Sequence, residues 1–374
     1  MARRVYVHVG LPKTGTTFLQ TTMWHNRAQL AAQGFLYPGE KRMDHFHASN
    51  AVRGRRLTFR ADNEAAWDRL VDELFAWDGD GIISHEFFSV ATSLQARNLV
   101  AALRPAEVHV VVTARDYVRQ FPAVWQEALK MNSQLSLDEF MKQAFARELK
   151  GSWSWRSQDL PEVLGRWATA VPPERVHVIT VPPPGAPRHL LWQRWCEVLE
   201  LDDSTFDTDL TFDNESLGAA QAALMHRLAP YLQDSFQDGA NRHRWVRQYF
   251  AHEVLVKQEG ERFGLRPDDV AALTALSEAA VQEVERAAYP VTGDLADLVP
   301  RQPQPDRPHP DDVSEYEMFD VAARAIEQMI RDVRDLTTER NEWRATARKT
   351  KRAAARRAAA DARKAEQRKR GHDD

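Results

Sequence analysis

Cysteine is nearly absent: Cys196 is the one thiol in 374 residues. No disulfide can close within the chain, and a cysteine-based zinc site is excluded. Long apolar runs are missing as well, and nothing approaches the ~18 consecutive apolar residues that read as a membrane span. The opening "MARRVYVHVG" lacks the roughly 7–15-residue apolar segment and cleavage site of a secretory signal. A reducing cytoplasm is the expected setting. Metal-ligand spacing is also scarce. His45 and His47 in "DHFHASNAVRG" (44–54) have no acidic or cysteine partner at ligand spacing, so no metal is expected. That stretch reads as a loop, either lining a pocket or lying at the plain surface.

A large net charge is missing too, but the value of −4 conceals an asymmetry. Residues 344–374 hold 12 Lys/Arg against 4 Asp/Glu, a net of +8, which leaves the preceding 343 residues at −12. An acidic body with a basic tail differs from a uniformly neutral protein in what it attracts. At 43% hydrophobic and 28% charged, the composition is otherwise that of an ordinary globular protein.

Strand and helix patterns alternate. "VYVHV" (5–9), "GIIS" (81–84), "EVHVVVTAR" (107–115) and "RVHVIT" (175–180) read as buried strands. Helical patterns cover 16–33, ended by Gly34, then 64–77, 93–103, 116–130 with a kink expected at Pro122, and 160–171. This order predicts an α/β domain around a central, mainly parallel sheet. Right-handed crossovers would bring the ends of 5–9, 81–84 and 107–113 to one edge, where ligands bind in such sheets. Residues 190–290 read as mostly helical. "PRQPQPDRPHP" carries five prolines in eleven residues, so 300–312 reads as a stiff linker after a domain spanning 1–299.

Residues 313–374 read as helical with a basic end. Phe319, Ala322, Ile326, Met329, Val333 and Leu336 fit an a/d spacing that Arg340 breaks. Two readings stand: an amphipathic helix docked on the domain, or a short coiled coil that pairs chains. The Ala/Arg/Lys-rich end is either a solvated tail or a contact for an anionic surface, inner-leaflet lipid or nucleic acid.

One loop carries chemistry. In "VGLPKTGTTFLQ" (9–20), Gly10 and Gly15 let the backbone turn tightly, and Thr16 and Thr17 fall in the first turn of a helix. Unpaired N–H groups and the helix dipole favour an anion there. Lys13 adds a positive charge at the tip, and the hydroxyls of Thr14, Thr16 and Thr17 add donors. The order departs from the triphosphate loop G-x-x-x-x-G-K-[ST], because Lys13 precedes the second glycine.

"PKTGTT" after a strand resembles the 5′-phosphosulfate loop of sulfotransferases that use 3′-phosphoadenosine 5′-phosphosulfate (PAPS). The resemblance implies a three-layer P-loop-like fold. It also implies that Lys13 contacts the bridging oxygen of the phosphosulfate, and that Thr14, Gly15, Thr16 and Thr17 bind the 5′-phosphate. "VVVTARDYVRQFPAVWQE" (110–127) resembles the 3′-phosphate motif of that family, with Arg115 as the matching arginine. The family's serine eight residues on is Ala123 here, leaving Arg119, Gln120 or a backbone N–H to replace it. "GRWATAVPPERVHVITVP" (165–182) resembles the helix–strand element of heparan-type members.

In "GIISHEFFS" (81–89), His85 and Glu86 follow a strand end. Members of the family use histidine or glutamate near such a position as the general base, and Glu86 is the better match. Burial would raise its pKa. Trp125, Trp153, Trp155 and Trp167 flank this region, as core or as a stacking surface for adenine or a sugar. The resemblance implies PAPS-dependent sulfation of a hydroxyl on a carbohydrate, glycolipid or other small acceptor, without a metal. Two alternatives stay open: a P-loop kinase or NTPase with an unusual loop, and a non-catalytic scaffold of the same fold. A homo-oligomer through the C-terminal helix, and attachment of the tail to the inner membrane surface, also stay open.

Overall fold

The computed structural model describes residues 1–54, 60–210, 216–301 and 303–370. Gln302 of the proline-rich segment and the last four residues of the basic tail lie outside them. Six strands form one sheet: β1 (Arg4–Gly10), β2 (Phe35–Leu36), β3 (Asp80–Ser84), β4 (Glu107–Ala114), β5 (Val176–Thr180) and β6 (Val291–Thr292). Their order is β2-β3-β1-β4-β5-β6, and every pair is parallel. The short edge strands β2 and β6 are too brief to register as a hydrophobic pattern, and sequence reading missed both.

The strands are apolar on both faces because helices cover both. Val5, Val7 and Val9 pack with Leu70, Leu74, Leu99, Leu164 and Trp167 on one side. Tyr6, Ile82, Val111 and Ile179 pack with Leu19, Met23, Trp192 and Trp195 on the other. Alternate side chains of a strand point to opposite faces, so one short run supplies two cores and a three-layer α/β fold. Each fully buried Val or Ile contributes roughly 1.5–3 kcal/mol. A third core joins helix Tyr117–Lys130 to Leu137–Phe145, Ala219–Gln233, the π-helical segment Arg242–Leu255 and Pro267–Ala287.

The structure departs from several expectations. The helix expected over 16–33 is two helices, Thr16–His25 and Arg27–Ala32. Between them, the Asn26 amide donates to Thr22 O and Asp207 O, competing with the helical ladder. Pro122 lies within Tyr117–Lys130 without ending it. The stretch 44–54, expected as a loop, holds helix Asp44–Val52. The Asp44 carboxylate accepts the N–H groups of Glu40 and Lys41 and pairs with Arg69, which fixes the chain entering this helix. His45 is buried and stacks on Tyr37 with ring centroids 4.4 Å apart. Trp125, Trp155 and Trp167 are core residues, and Trp153 packs edge-on against Phe87.

The proline-rich segment runs along the protein. Gly264 N–H donates to Pro308 O, and the Asp311 carboxylate accepts the N–H groups of Leu137 and Asp138. Asp138, His309 and Asp311 bring ligand-type atoms together, but Arg266 pairs with Asp138 and His309 Nδ1 accepts the Asp311 N–H. These groups fasten the segment. After it comes one helix, Glu315–Arg370, of 56 residues. No described helix is long and apolar enough to cross a membrane.

Candidate functional site

The loop between β1 and helix Thr16–His25 lies at the carboxyl edge of the sheet, beside the ends of β3 and β4. Its backbone is unusual where the sequence places glycine. Gly10 has φ +120°, and a Cβ there would lie 2.9 Å from Glu86 O. Gly15, at φ +85°, precedes the first helical residue. Only glycine combines this backbone freedom with the close approach to Glu86. We expect Gly10→Ala to cost roughly 1–3 kcal/mol, read as a lower denaturation midpoint; an unchanged midpoint would show that the loop tolerates a Cβ.

A buried polar chain braces the loop from below. His8 Nδ1 bonds Ser84 Oγ at 2.8 Å and Nε2 bonds Thr113 Oγ1 at 3.2 Å. Thr113 Oγ1 lies 2.7 Å from Thr14 Oγ1, and Thr14 donates to Leu11 O at 2.5 Å. The Thr14 hydroxyl, expected as a donor to a bound anion, is therefore turned into the protein. Thr16 is buried at the start of the helix and Thr17 is exposed. Burial lowers the pKa of His8 to about 3, so the ring is neutral. In the unfolded chain it titrates near 6.5. Its contribution is present above that value and is lost as pH falls toward 3. A wild-type loss of about 2 kcal/mol from His8 between pH 6.5 and 5 is expected, checked by urea denaturation at both pH values. His8→Asn should flatten this part of the profile.

Lys13, at φ 65°, reaches sideways to Glu127, with Nζ 3.2 Å from Oε1. Glu127 also takes Lys130 Nζ at 3.1 Å and Arg247 at 3.3 Å. Burial opposes its charge, but Lys13, Lys130 and Arg247 overcome this and hold the carboxyl well below its usual range. Sequence reading missed this cluster. The available signal was Glu127 and Lys130, charges at i, i+3 on the buried face of an amphipathic helix.

Arg115 follows β4. Its Nη1 donates to Lys13 O at 3.2 Å, tying the strand end to the loop tip. Its Nε is buried without a hydrogen-bond partner. Burial lowers the guanidinium pKa to about 10, reinforced by Arg119 and opposed by Asp116. Asp116 is engaged with Arg119, which also donates to Pro182 O at 3.1 Å. Gln120, one candidate to replace the missing serine, is turned inward to Gln158 and Pro12 O. Arg119, the second side-chain candidate beside a backbone N–H, lines an open cleft with Arg115 and Ala123. That cleft encloses about 1310 Å³, and Arg262, Arg301 and Arg307 line it from the later part of the chain.

Glu86 opens the short 3₁₀ helix Glu86–Val90. Its Oε2 accepts from Gln20 Nε2 at 3.3 Å, and its side chain is 22% exposed. Burial alone would raise its pKa, as expected from sequence. His85, a backbone N–H, Gln20 and Lys13 outweigh burial and lower it instead. His85 Nδ1 accepts the Phe87 N–H at 3.1 Å. A neutral ring in that bond carries its proton on Nε2 and donates there rather than accepts. His85 packs between Phe46 and Phe87, at 5.3 and 5.2 Å, and burial lowers its pKa.

No family model matches the chain, and no curated protein matches it. Among solved structures, a sulfotransferase from Alicyclobacillus acidocaldarius is similar over 76% of this chain and 96% of that one. The identity is 19% and the TM-score 0.44, too distant to carry residue roles across.

Proposed function

We propose that this protein transfers the sulfuryl group of PAPS to a hydroxyl of a carbohydrate, glycolipid or other small acceptor. The observation that carries the reading is Arg115, a half-buried side chain whose Nε is enclosed without a partner beside an anion-type loop. A buried donor of this kind is costly unless a ligand completes it. A phosphate suits an arginine because its oxygens match the guanidinium fork. The neighbouring cleft mixes arginines with Asp116, Asp297, Asp306, Asp312 and Glu317. Arg119 is paired with Asp116 and Arg266 with Asp138 and Asp312, so Arg262, Arg301 and Arg307 are the side chains that suit the rest of a doubly phosphorylated nucleotide.

Bound PAPS would supply an electrophilic sulfur with a phosphate leaving group. The chain's own groups divide the remaining work. Backbone N–H groups from Thr14 to Thr17 and the hydroxyls of Thr16 and Thr17 hold the 5′-phosphate, while Arg115 holds the 3′-phosphate. Lys13 exchanges Glu127 for the leaving oxygen, and Glu127 retains Lys130 and Arg247 when it does. Glu86, ionised at neutral pH and oriented by Gln20, takes the acceptor's proton. The Nδ1 bond of His85 supports Glu86 as the base. On this reading, residues 1–299 form the transferase domain and 300–312 join it to the helical extension 313–374.

Calorimetric titration with 3′-phosphoadenosine 5′-phosphate (PAP) tests the reading. Wild type binds PAP without magnesium. Arg115→Ala and Lys13→Ala each weaken binding about 10- to 100-fold, the scale of one charge-assisted hydrogen bond. Arg115→Ala also erases the preference for PAP over adenosine 5′-phosphate. No PAP binding by wild type, or equal and magnesium-dependent binding of ATP, would sink the proposal.

A further inference from the structure

The helix Glu315–Arg370 spans about 84 Å at 1.5 Å per residue, and only its first turns dock. Val321 and Ala325 are 2% and 3% exposed against the domain. Tyr249 Oη donates to Asp332 Oδ2 at 2.7 Å, and Gln258 Nε2 to Val321 O at 3.4 Å. The docked face is thus offset from the a/d seam read from sequence, where Ala322 packs only partly. Most of the rest of that seam faces water, Met329 least at 37%. Phe319 is 71% exposed, Ile326 58%, Val333 62% and Leu336 64%. Tyr316, Ile330 and Trp343 extend the stripe at 81%, 64% and 76%. Steps of three and four from 316 to 333 keep Tyr316, Phe319, Ala323, Ile326, Ile330 and Val333 along one line. From Tyr316 to Val333 the line runs about 26 Å, a long apolar surface to leave facing solvent.

We propose that a second copy of this chain covers the stripe, with the two helices antiparallel. The charge pattern selects both the occupant and the direction. Residues 315–343 carry 8 Asp/Glu and 4 Arg, whereas 344–370 carry 12 Lys/Arg and 2 Asp/Glu. Parallel pairing would lay two strongly basic tails side by side. Antiparallel pairing carries each tail past the start of the other helix, where Asp312, Glu315, Glu317 and Asp320 are exposed. It also sets Glu327 opposite Arg334 of the other copy, twice by symmetry, because both flank the stripe on the same side one heptad apart. The acidic body and basic tail then complement each other between copies. This inference is independent of the proposed activity.

Light scattering across a dilution series reads the assembly. Wild type should give twice the chain mass and a melting temperature that rises with concentration. Ile326→Glu with Val333→Glu should halve the mass and remove that concentration dependence while the domain still unfolds cooperatively. Direction is read by cysteine cross-linking, since Cys196 is buried. Ala323→Cys and Arg340→Cys proteins should cross-link to each other when mixed and not to themselves. A monomeric wild type would overturn the proposal, and so would a dimer whose mass the charge variant leaves unchanged. Self-linking of each cysteine variant without mixed linking would overturn the antiparallel arrangement.

Discussion

Glu86→Gln is expected to lower the turnover of sulfation about 10²- to 10⁴-fold, the usual contribution of a general base, while PAP binding stays near wild type. The glutamine keeps the shape and can still face Gln20, so the loss isolates the proton acceptor. The pH profile adds a second readout. Net interactions with His85, Gln20 and Lys13 hold the Glu86 pKa below its usual value despite burial. On the proposed reading Glu86 is therefore ionised across neutral pH, and the acid limb of kcat/KM lies below the ordinary glutamate range. His85→Asn should cost less, because Nδ1 is occupied by the Phe87 N–H. If Glu86→Gln retained full turnover and His85→Asn abolished it, the roles would be reversed.

The second large effect concerns stability. Glu127→Ala should destabilise the protein by about 3–5 kcal/mol, the cost of breaking a buried ion pair from one side. Lys130 has a fully buried side chain and donates to Glu127 at 3.1 Å. Removing the carboxylate takes a partner from it, from Arg247 and from Lys13. Urea denaturation at pH 7 measures the loss. Glu127→Gln should lose less, since its amide oxygen still accepts. The sign with pH follows from the depressed folded pKa. The stabilisation is complete above the unfolded value near 4.5 and is lost progressively as pH falls below it. In Glu127→Gln that acid loss should shrink. A wild-type-like midpoint for Glu127→Ala would mean that the cluster carries no net stability. Because Lys13 ends on this carboxylate, the same variant should also change PAP affinity, linking the core to the loop.

The amino-acid order by itself determined the alternating α/β frame, the strand–loop–helix around Lys13, and Arg115 at the end of a neighbouring strand. These are local properties. A β-branched run of five residues, two glycines and a helix start leave the backbone few choices, and parallel strands joined by right-handed crossovers place their ends together. What only the tertiary structure decided involves partners far apart in sequence. Glu127 meets Lys13 and Arg247, Arg301 and Arg307 line one cleft with Arg115, and Thr113 turns the Thr14 hydroxyl inward. The His85 tautomer depends on one backbone N–H, and the net shift of Glu86 depends on which of burial or neighbouring charge is larger. In the C-terminal helix, periodicity located the apolar face, but only the docking of Val321 and Ala325 showed which side was left for another surface. Periodicity shows that a face is apolar; the packed structure decides what that face meets.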